Sequence, residues 1–294
     1  MNGGNLSLLF LLAVYFVLPT QIVRAQTTFG SQQIICDTAN GAISVYAADL
    51  DGDDDDDVLA AALLGNQVVW YENLGGSFGV EQTISASSNY ASGVYAKDLD
   101  GDNDADVLVA SENDNTIAWF ENLGGGFGPK QVISTASNEP SEVFAADVDG
   151  DGDNDALASS LLDNQIIWFE NQGGGVFGGL QVITDSATYA QDVFAADLDG
   201  DDDIDVLSAA WSDDIIAWYE NDGSGNFGFR RVLTSAADGA LSVHAADLDG
   251  DGDFDVVSAS VIDDKVAWYE NLSAAGVILT SPNGGETITA GTTE

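Results

Sequence analysis

Cysteine, histidine and positive charge are all scarce in this 294-residue chain. Cys36 is the single cysteine and His244 the single histidine, so an internal disulfide and a thiolate metal cluster are both excluded. Cys36 reads as a small buried apolar side chain at a strand end. Lysine and arginine number 6 against 50 aspartates and glutamates, a net charge of -44. Such a surface repels phosphate backbones and anionic membranes, which excludes nucleic acid as a partner and leaves cations as the natural counterpart. The acidity does not imply disorder, because 45% apolar and 9% aromatic residues suffice for a full core. Only one long apolar run exists at the N-terminus, Leu6 to Leu18, followed by Pro19 and then Val23-Arg24-Ala25. It is too short to span a membrane comfortably. It reads as an export signal over residues 1–25, cleaved after Ala25, with no membrane insertion of what remains.

What the chain has in excess is repetition. Aspartate clusters begin at Asp49, Asp98, Asp147, Asp197 and Asp247, at steps of 49, 49, 50 and 50 residues. Tryptophans keep the same step at Trp70, Trp119, Trp168, Trp218 and Trp268, each followed by Tyr or Phe and then Glu-Asn. A Phe-Gly pair recurs at Phe29, Phe78, Phe127, Phe177 and Phe227. Units of this length cannot bury their faces alone and must stack.

Four short strands are predicted per unit, in the second one Gly93–Lys97, Val107–Ser111, Thr116–Asn122 and Phe127–Ser134, with no helix anywhere. The second and third strands are linked by Gly65-Asn66, Asn113-Asp114, Asp163-Asn164, Asp213-Asp214 and Asp263-Asp264, residue types that tolerate positive φ. Small residues in the first strand, as in Val193-Phe194-Ala195-Ala196, suit the innermost position. The predicted fold is all-β, a β-propeller of five four-stranded blades over residues 26–273. Its closure is by the N-terminal Phe29-Gly30 strand, which completes the fifth blade as outer strand. Residues 274–294 break the period; Val277 onward resembles the opening of an Ig-like module, giving a linker and a truncated second domain.

Each aspartate cluster places Asp at positions 1, 3, 5, 7 and 9. The first contains Asp49, Asp51, Asp53, Asp55 and Asp57, and the second Asp98, Asp100, Asp102, Asp104 and Asp106. The third contains Asp147, Asp149, Asp151, Asp153 and Asp155; the fourth Asp197, Asp199, Asp201, Asp203 and Asp205; the fifth Asp247, Asp249, Asp251, Asp253 and Asp255. One close carboxylate pair costs about 4 kcal/mol at a surface-like dielectric, so a loop with five of them needs a cation to close. Calcium accepts six to eight oxygens in flexible geometry; magnesium prefers fewer carboxylates and more water, and zinc prefers His or Cys. About five Ca2+ ions, one per blade, are expected, and all 25 aspartates are metal-site candidates. The spacing starts like an EF-hand, but position 12 holds Ala60, Val109, Ala158, Ser208 and Ser258 instead of a bidentate glutamate.

With Asp147-Val-Asp-Gly-Asp-Gly-Asp-Asn-Asp155 and a following apolar strand, repeated five times over residues 29–273, the sequence resembles the FG-GAP or VCBS repeat of integrin α-subunits and many bacterial secreted proteins. The resemblance implies that side chains at positions 1, 3, 5 and 9 bind calcium and that position 7 offers its backbone carbonyl. It also implies a left-handed bend at position 6, which holds Asp54, Asn103, Gly152, Asp202 and Gly252.

The repeated tryptophans read as core between blades rather than as sugar platforms, and His244 as a packed inner-strand residue in the place of Tyr46, Tyr95, Phe144 and Phe194. Glu72, Glu121, Glu170, Glu220 and Glu270 recur identically, which suits a structural role at a strand end. No isolated acid pair stands outside the repeat, and no enzyme is expected. Trp211, Tyr90 and Tyr189 fall where copies differ, on the face opposite the aspartate loops. A protein or glycan ligand is expected there. The expected function is a secreted or cell-surface, calcium-binding, non-catalytic adhesion or recognition module, a monomer or part of a longer multidomain chain. The alternative is a carbohydrate-binding or accessory domain of a secreted polysaccharide-degrading enzyme.

Overall fold

The computed structural model describes residues 30–272. The expected export signal, Phe29 and residues 273–294 lie outside the described residues. The chain separates into two contact units, Met1–Ile34 and Ile35–Glu294, and the nineteen strands belong to the second.

The strands form five antiparallel sheets, each a meander in sequence order. The first contains β1 (Ala42–Ala48), β2 (Asp57–Ala62), β3 (Gln67–Tyr71) and β4 (Gln82–Ser85). The second contains β5 (Ala91–Lys97), β6 (Asp106–Ser111), β7 (Thr116–Phe120) and β8 (Gln131–Ser134). The third contains β9 (Pro140–Ala146), β10 (Asp155–Ser160), β11 (Gln165–Phe169) and β12 (Gln181–Thr184). The fourth contains β13 (Ala190–Ala196), β14 (Asp205–Ala210), β15 (Ile215–Tyr219) and β16 (Arg231–Thr234). The fifth contains β17 (Ala240–Ala246), β18 (Asp255–Ser260) and β19 (Lys265–Tyr269).

Among the described residues the fifth sheet therefore has three strands instead of four, and residues 30–41 contain no strand. The Phe-Gly pair that begins every other fourth strand has no counterpart in the described chain after Asn271.

Two further local expectations are revised. The fourth strand of the second unit starts at Gln131 rather than Phe127. Phe127 makes an isolated bridge to Asn122, and Gly128 N–H donates to Glu121 O at 2.7 Å, so the turn is tightened before the strand begins. One 3-10 turn, Leu63–Gly65, occurs where no helix was expected; it is held by Leu63 N–H donating to Gly41 O at 2.9 Å. The left-handed hairpin residues are Asn66, Asn115, Asn164, Asp214 and Asp264, with φ between 53° and 59°. The second unit thus bends at Asn115, one residue beyond the expected Asn113-Asp114 pair, because the repeat step places Asn115 at the same register as Asn66.

The first strands β1, β5, β9, β13 and β17 contact one another in succession, which makes them the innermost. Their aromatic side chains form a ladder from Tyr46 through Tyr95, Phe144 and Phe194 to His244, with neighbouring ring centroids 4.3 to 4.8 Å apart. His244 is thus an inner-strand packing residue, set edge-on against Phe194.

The core lies between sheets. Leu108, Ile117 and Trp119 of the second sheet pack with Val143, Ala156 and Phe169 of the third, and the other neighbouring pairs repeat this pattern. Each of the first three tryptophans meets the Phe of the next Phe-Gly turn but one edge-on, as in Trp119 against Phe177 at 6.4 Å. A Cβ on Gly175 would stand 2.3 Å from the Trp119 ring, so this turn requires glycine for close approach as well as for its φ of +68°. Trp70, Trp119 and Trp168 are buried as expected, whereas Trp268 is 51% exposed because no further described sheet covers it. Cys36 is half-buried against Ala60, Val69 and Tyr71, in a segment without strand structure.

Candidate metal centres at the sheet rims

Each aspartate loop joins the first and second strands of a sheet, and its fold is written in backbone N–H groups seeking acceptors. Position 1 accepts from the glycine at position 4: Gly52, Gly101, Gly150, Gly200 and Gly250 donate to Asp49, Asp98, Asp147, Asp197 and Asp247 at 2.7 to 2.8 Å. The N–H of position 6 donates to the other oxygen in four loops, from Asp54, Asn103, Gly152 and Asp202 at 2.9 to 3.1 Å. All five position-6 residues have φ between 70° and 99°, as the resemblance implied. The position-5 carboxylates of Asp53, Asp102, Asp151, Asp201 and Asp251 accept from the N–H of Asp55, Asp104, Asp153, Asp203 and Asp253 at 2.9 to 3.2 Å.

Position 9 is a latch. Asp57, Asp106, Asp155, Asp205 and Asp255 are at most 1% exposed. One oxygen of each accepts from the position-2 N–H at 2.9 to 3.1 Å and the other from the Asn N–H of the Glu-Asn pair at 2.7 to 2.8 Å. The Asn side chain carries the latch across sheets. Asn122, Asn171, Asn221 and Asn271 donate to Leu50 O, Leu99 O, Val148 O and Leu198 O of the preceding loop at 2.6 to 2.9 Å. Sequence reasoning weighed the recurring glutamate and passed over this asparagine; its identical recurrence beside the tryptophan was the available signal.

The structure brings together positions 1 and 3 in all five loops. Asp98, Asp100 and Asp106 have ligand atoms within 4.8 Å of one another, as do Asp147, Asp149 and Asp155, and Asp197, Asp199 and Asp205. In the outer two loops the third member is position 5, giving Asp49, Asp51 and Asp53, and Asp247, Asp249 and Asp251. Position 7 joins none of these groups through its carboxylate. In the fifth loop, however, both Asp253 carboxylate oxygens are buried and have no hydrogen-bond partner. Buried oxygens of Asp51 and Asp199 at position 3 are likewise unpartnered.

The electrostatics follow from burial. Asp106 and Asp155 are pushed up to about 7 and Asp205 to about 6, by desolvation first, against the pull of their two backbone donors. Asp51, Asp100, Asp149, Asp199 and Asp249 at position 3 are also raised, by desolvation and then by neighbouring aspartates. A loop of orphaned and mutually repelling oxygens on a fixed backbone fits a hard divalent cation in its donor set, which is all oxygen.

Opposite the loops, Tyr189 and Trp211 meet. Trp211 N–H donates to Tyr189 O at 3.2 Å, and the two residues line a hollow of about 350 Å³ with Gln191 and Ser212. Tyr90 belongs to another connection, where its N–H donates to Asn66 Oδ1 at 2.9 Å.

Among curated proteins none matches the chain. Among solved structures, it is similar to an Agrocybe aegerita lectin described as recognising non-reducing terminal N-acetylglucosamine. The identity is 22% and the TM-score 0.53, over 78% of this chain and 66% of the lectin. It is also similar to virginiamycin B lyase from Staphylococcus aureus, at 12% identity and TM-score 0.52, over 80% of this chain and 71% of that one. These likenesses concern the fold: an all-β, propeller-like stack of sheets. The profile of the FG-GAP-like repeat matches residues 55–109, 98–158 and 201–258, which is more than half of the chain. On those matches, with an aspartate loop recurring in each of the five sheets, the chain belongs to the FG-GAP-like repeat family.

Proposed function

We propose that this chain is a calcium-stabilised, non-catalytic recognition module of an exported protein. The observation that carries the reading is the fivefold convergence of position-1 and position-3 carboxylates, with orphaned buried oxygens at Asp51 and Asp199. Calcium suits these loops better than magnesium, because several carboxylates on a bent backbone meet its larger and more flexible shell. Positions 1, 3, 5 and 9 would hold the ion, with the position-7 carbonyl, and the ion would neutralise the charge that burial opposes at Asp106, Asp155 and Asp205. Export is supported by the 1–25 signal pattern and by the family's usual extracellular setting. Among the described residues no helix is long and apolar enough to cross a membrane.

Closure of the ring by the segment that opens at Phe29 belongs to the same reading. It is supported by Val266 and Trp268, 86% and 51% exposed on a face that the other sheets bury. Recognition is assigned to the face opposite the loops, where Tyr189 and Trp211 flank a hollow on otherwise repetitive scaffolding. A glycan or protein end group is the ligand class, and the lectin likeness favours glycan.

The test is calorimetric titration of calcium into chelator-stripped protein, with melting temperature followed at each addition. About five equivalents with a stepwise rise support the reading; no uptake and an unchanged melting temperature would end it. For the ligand face, a glycan array probed with the chain and with Trp211→Ala should lose its hits in the variant.

A further inference from the structure

The five inner strands share one bulged register. In four of them the pairing with the neighbour shifts between the first and third residues, for example between Ala190 and Asp192, and in β9 it shifts between Pro140 and Val143, across Glu142. Bulges re-aim the side chain that follows them. The residue so aimed is among the least repetitive of the inner strand: Ser44, Gly93, Glu142, Asp192 and Ser242. Two adjacent blades thus bring a carboxylate to a place where the others have serine or glycine. Both line a hollow of about 430 Å³ at the inner strands, together with Phe144, Phe194 and His244 of the aromatic ladder. No lysine or arginine lines it.

Serine and aspartate at this register have a structural task. Ser44 Oγ accepts from Val94 N–H at 3.3 Å and Asp192 Oδ2 accepts from Val243 N–H at 2.8 Å, each reaching the next inner strand. Glu142 does not reach across. Its Oε1 accepts only from its own neighbour Val143 at 3.2 Å, while Val193 N–H is taken by Asp192 Oδ1 at 2.8 Å. Glu142 is surrounded by protein, and Gly93 makes way for it: a Cβ there would lie 2.6 Å from Glu142 Oε1. A carboxylate with an acceptor oxygen left over, facing a hollow with aromatic and valine walls, is half of a recognition site.

We propose that the hollow binds a small organic cation, with an ammonium group against Glu142 and Asp192 and its carbon body against Phe144, Phe194 and the inner-strand valines. A bare metal ion suits it poorly, because two carboxylates amid rings cannot supply six close oxygens. Aromatic faces attract ammonium groups once these are desolvated. Burial and then Asp192 raise Glu142 above the usual carboxylate range, and burial raises Asp192 to about 6. Both shifts mark carboxylates that lack a countercharge, which a bound cation would supply. The other titratable groups facing it are Tyr46, Tyr95 and His244. Burial raises the Tyr95 phenol and lowers the His244 imidazole, so neither supplies a competing cation.

The experiment is calorimetric titration of the full chain, in excess calcium to occupy the rim loops, with tetramethylammonium and n-butylamine; sodium and n-butanol serve as controls. One equivalent of amine should bind, with at least about tenfold weaker binding in Glu142→Gln and Asp192→Asn, as expected for a lost charge-assisted contact. Phe194→Leu keeps both carboxylates and should weaken tetramethylammonium more than butylamine. Asp185→Asn, at an exposed carboxylate outside the rim loops and the hollow, should change nothing. Absence of amine binding, equal binding of sodium, or binding unaltered in Glu142→Gln and Asp192→Asn would overturn the proposal. Equal weakening by Asp185→Asn would also overturn it, by showing that the amine follows general surface charge.

Discussion

The rim loops and the inner-strand position after the bulge sit about half a strand apart along the same strands, yet the repeat treats them oppositely. At the rim, five aspartates recur in register five times, twenty-five in all, and their backbone bonds recur with them. After the bulge, five copies hold Ser44, Gly93, Glu142, Asp192 and Ser242. Identity across copies marks what every blade needs to exist, namely a closed loop and a latch to its neighbour. Difference across copies marks what the assembly does once, since a single ligand at a shared axis needs its contacts from only some blades. The contrast also separates two kinds of acid: rim carboxylates crowd one another, while Glu142 and Asp192 face a hollow that no lysine or arginine lines.

The largest expected effect tests the rim. Each ion at a hundredfold excess over its Kd adds about 2.7 kcal/mol, so chelation should lower the melting temperature by many degrees, read by scanning calorimetry. An unchanged midpoint would erase the distinction between the two regions. Next, Trp119→Ala should cost about 3–5 kcal/mol in urea unfolding, because its ring is 3% exposed and clamped by Gly175.

The third effect sharpens the contrast at the axis. Asp192 has a folded-state pKa of about 6, above the ordinary 3.8, so its contribution to stability is complete below about pH 4 and lost as pH rises to about 6. Measured with calcium held saturating, Asp192→Asn should flatten the stability profile in that window; an unaltered slope would show that Asp192 is not desolvated. Smaller again, Asn171→Ala removes the donor to Leu99 O and Asn154 O and should cost about 1–3 kcal/mol by chemical denaturation. Last, Trp268→Ala separates an open ring from a closed one: a cost within about 0.5 kcal/mol would leave its face open to solvent and remove the proposed closure, whereas a cost near that of Trp119→Ala supports cover by a further strand.

Most of the fold was legible because the repeat step averages out local ambiguity. Trp70, Trp119 and Trp168 announced a buried third strand by alternation, and the small residues of Val193-Phe194-Ala195-Ala196 announced the inner one. The left-handed bends at Asp54, Asn103 and Asp202 were legible through the family resemblance, and Asp and Asn are among the few residue types that accept them. The fourth-strand start at Gln131 was not, since Phe127 is as apolar as any strand residue and only the Gly128-to-Glu121 bond shows that the chain is still turning. Of the candidate metal residues, spacing identified the loop. The choice of position 9 or position 5 as third partner depends on how each loop closes, which spacing does not encode.

The sequence by itself determined that the chain is all-β, that its unit is about 50 residues long, and that each unit presents a dense acidic loop. These are local properties, set by period-two alternation, turn chemistry and composition. Only the tertiary structure decided that Asn171 ties one loop to the preceding blade, that Trp268 is exposed while Trp70, Trp119 and Trp168 are buried, and that Glu142 and Asp192, 50 residues apart, share one hollow. Such pairings arise when blades stack, because stacking brings the same register of successive inner strands together, and no feature of either strand alone records which neighbour it will meet.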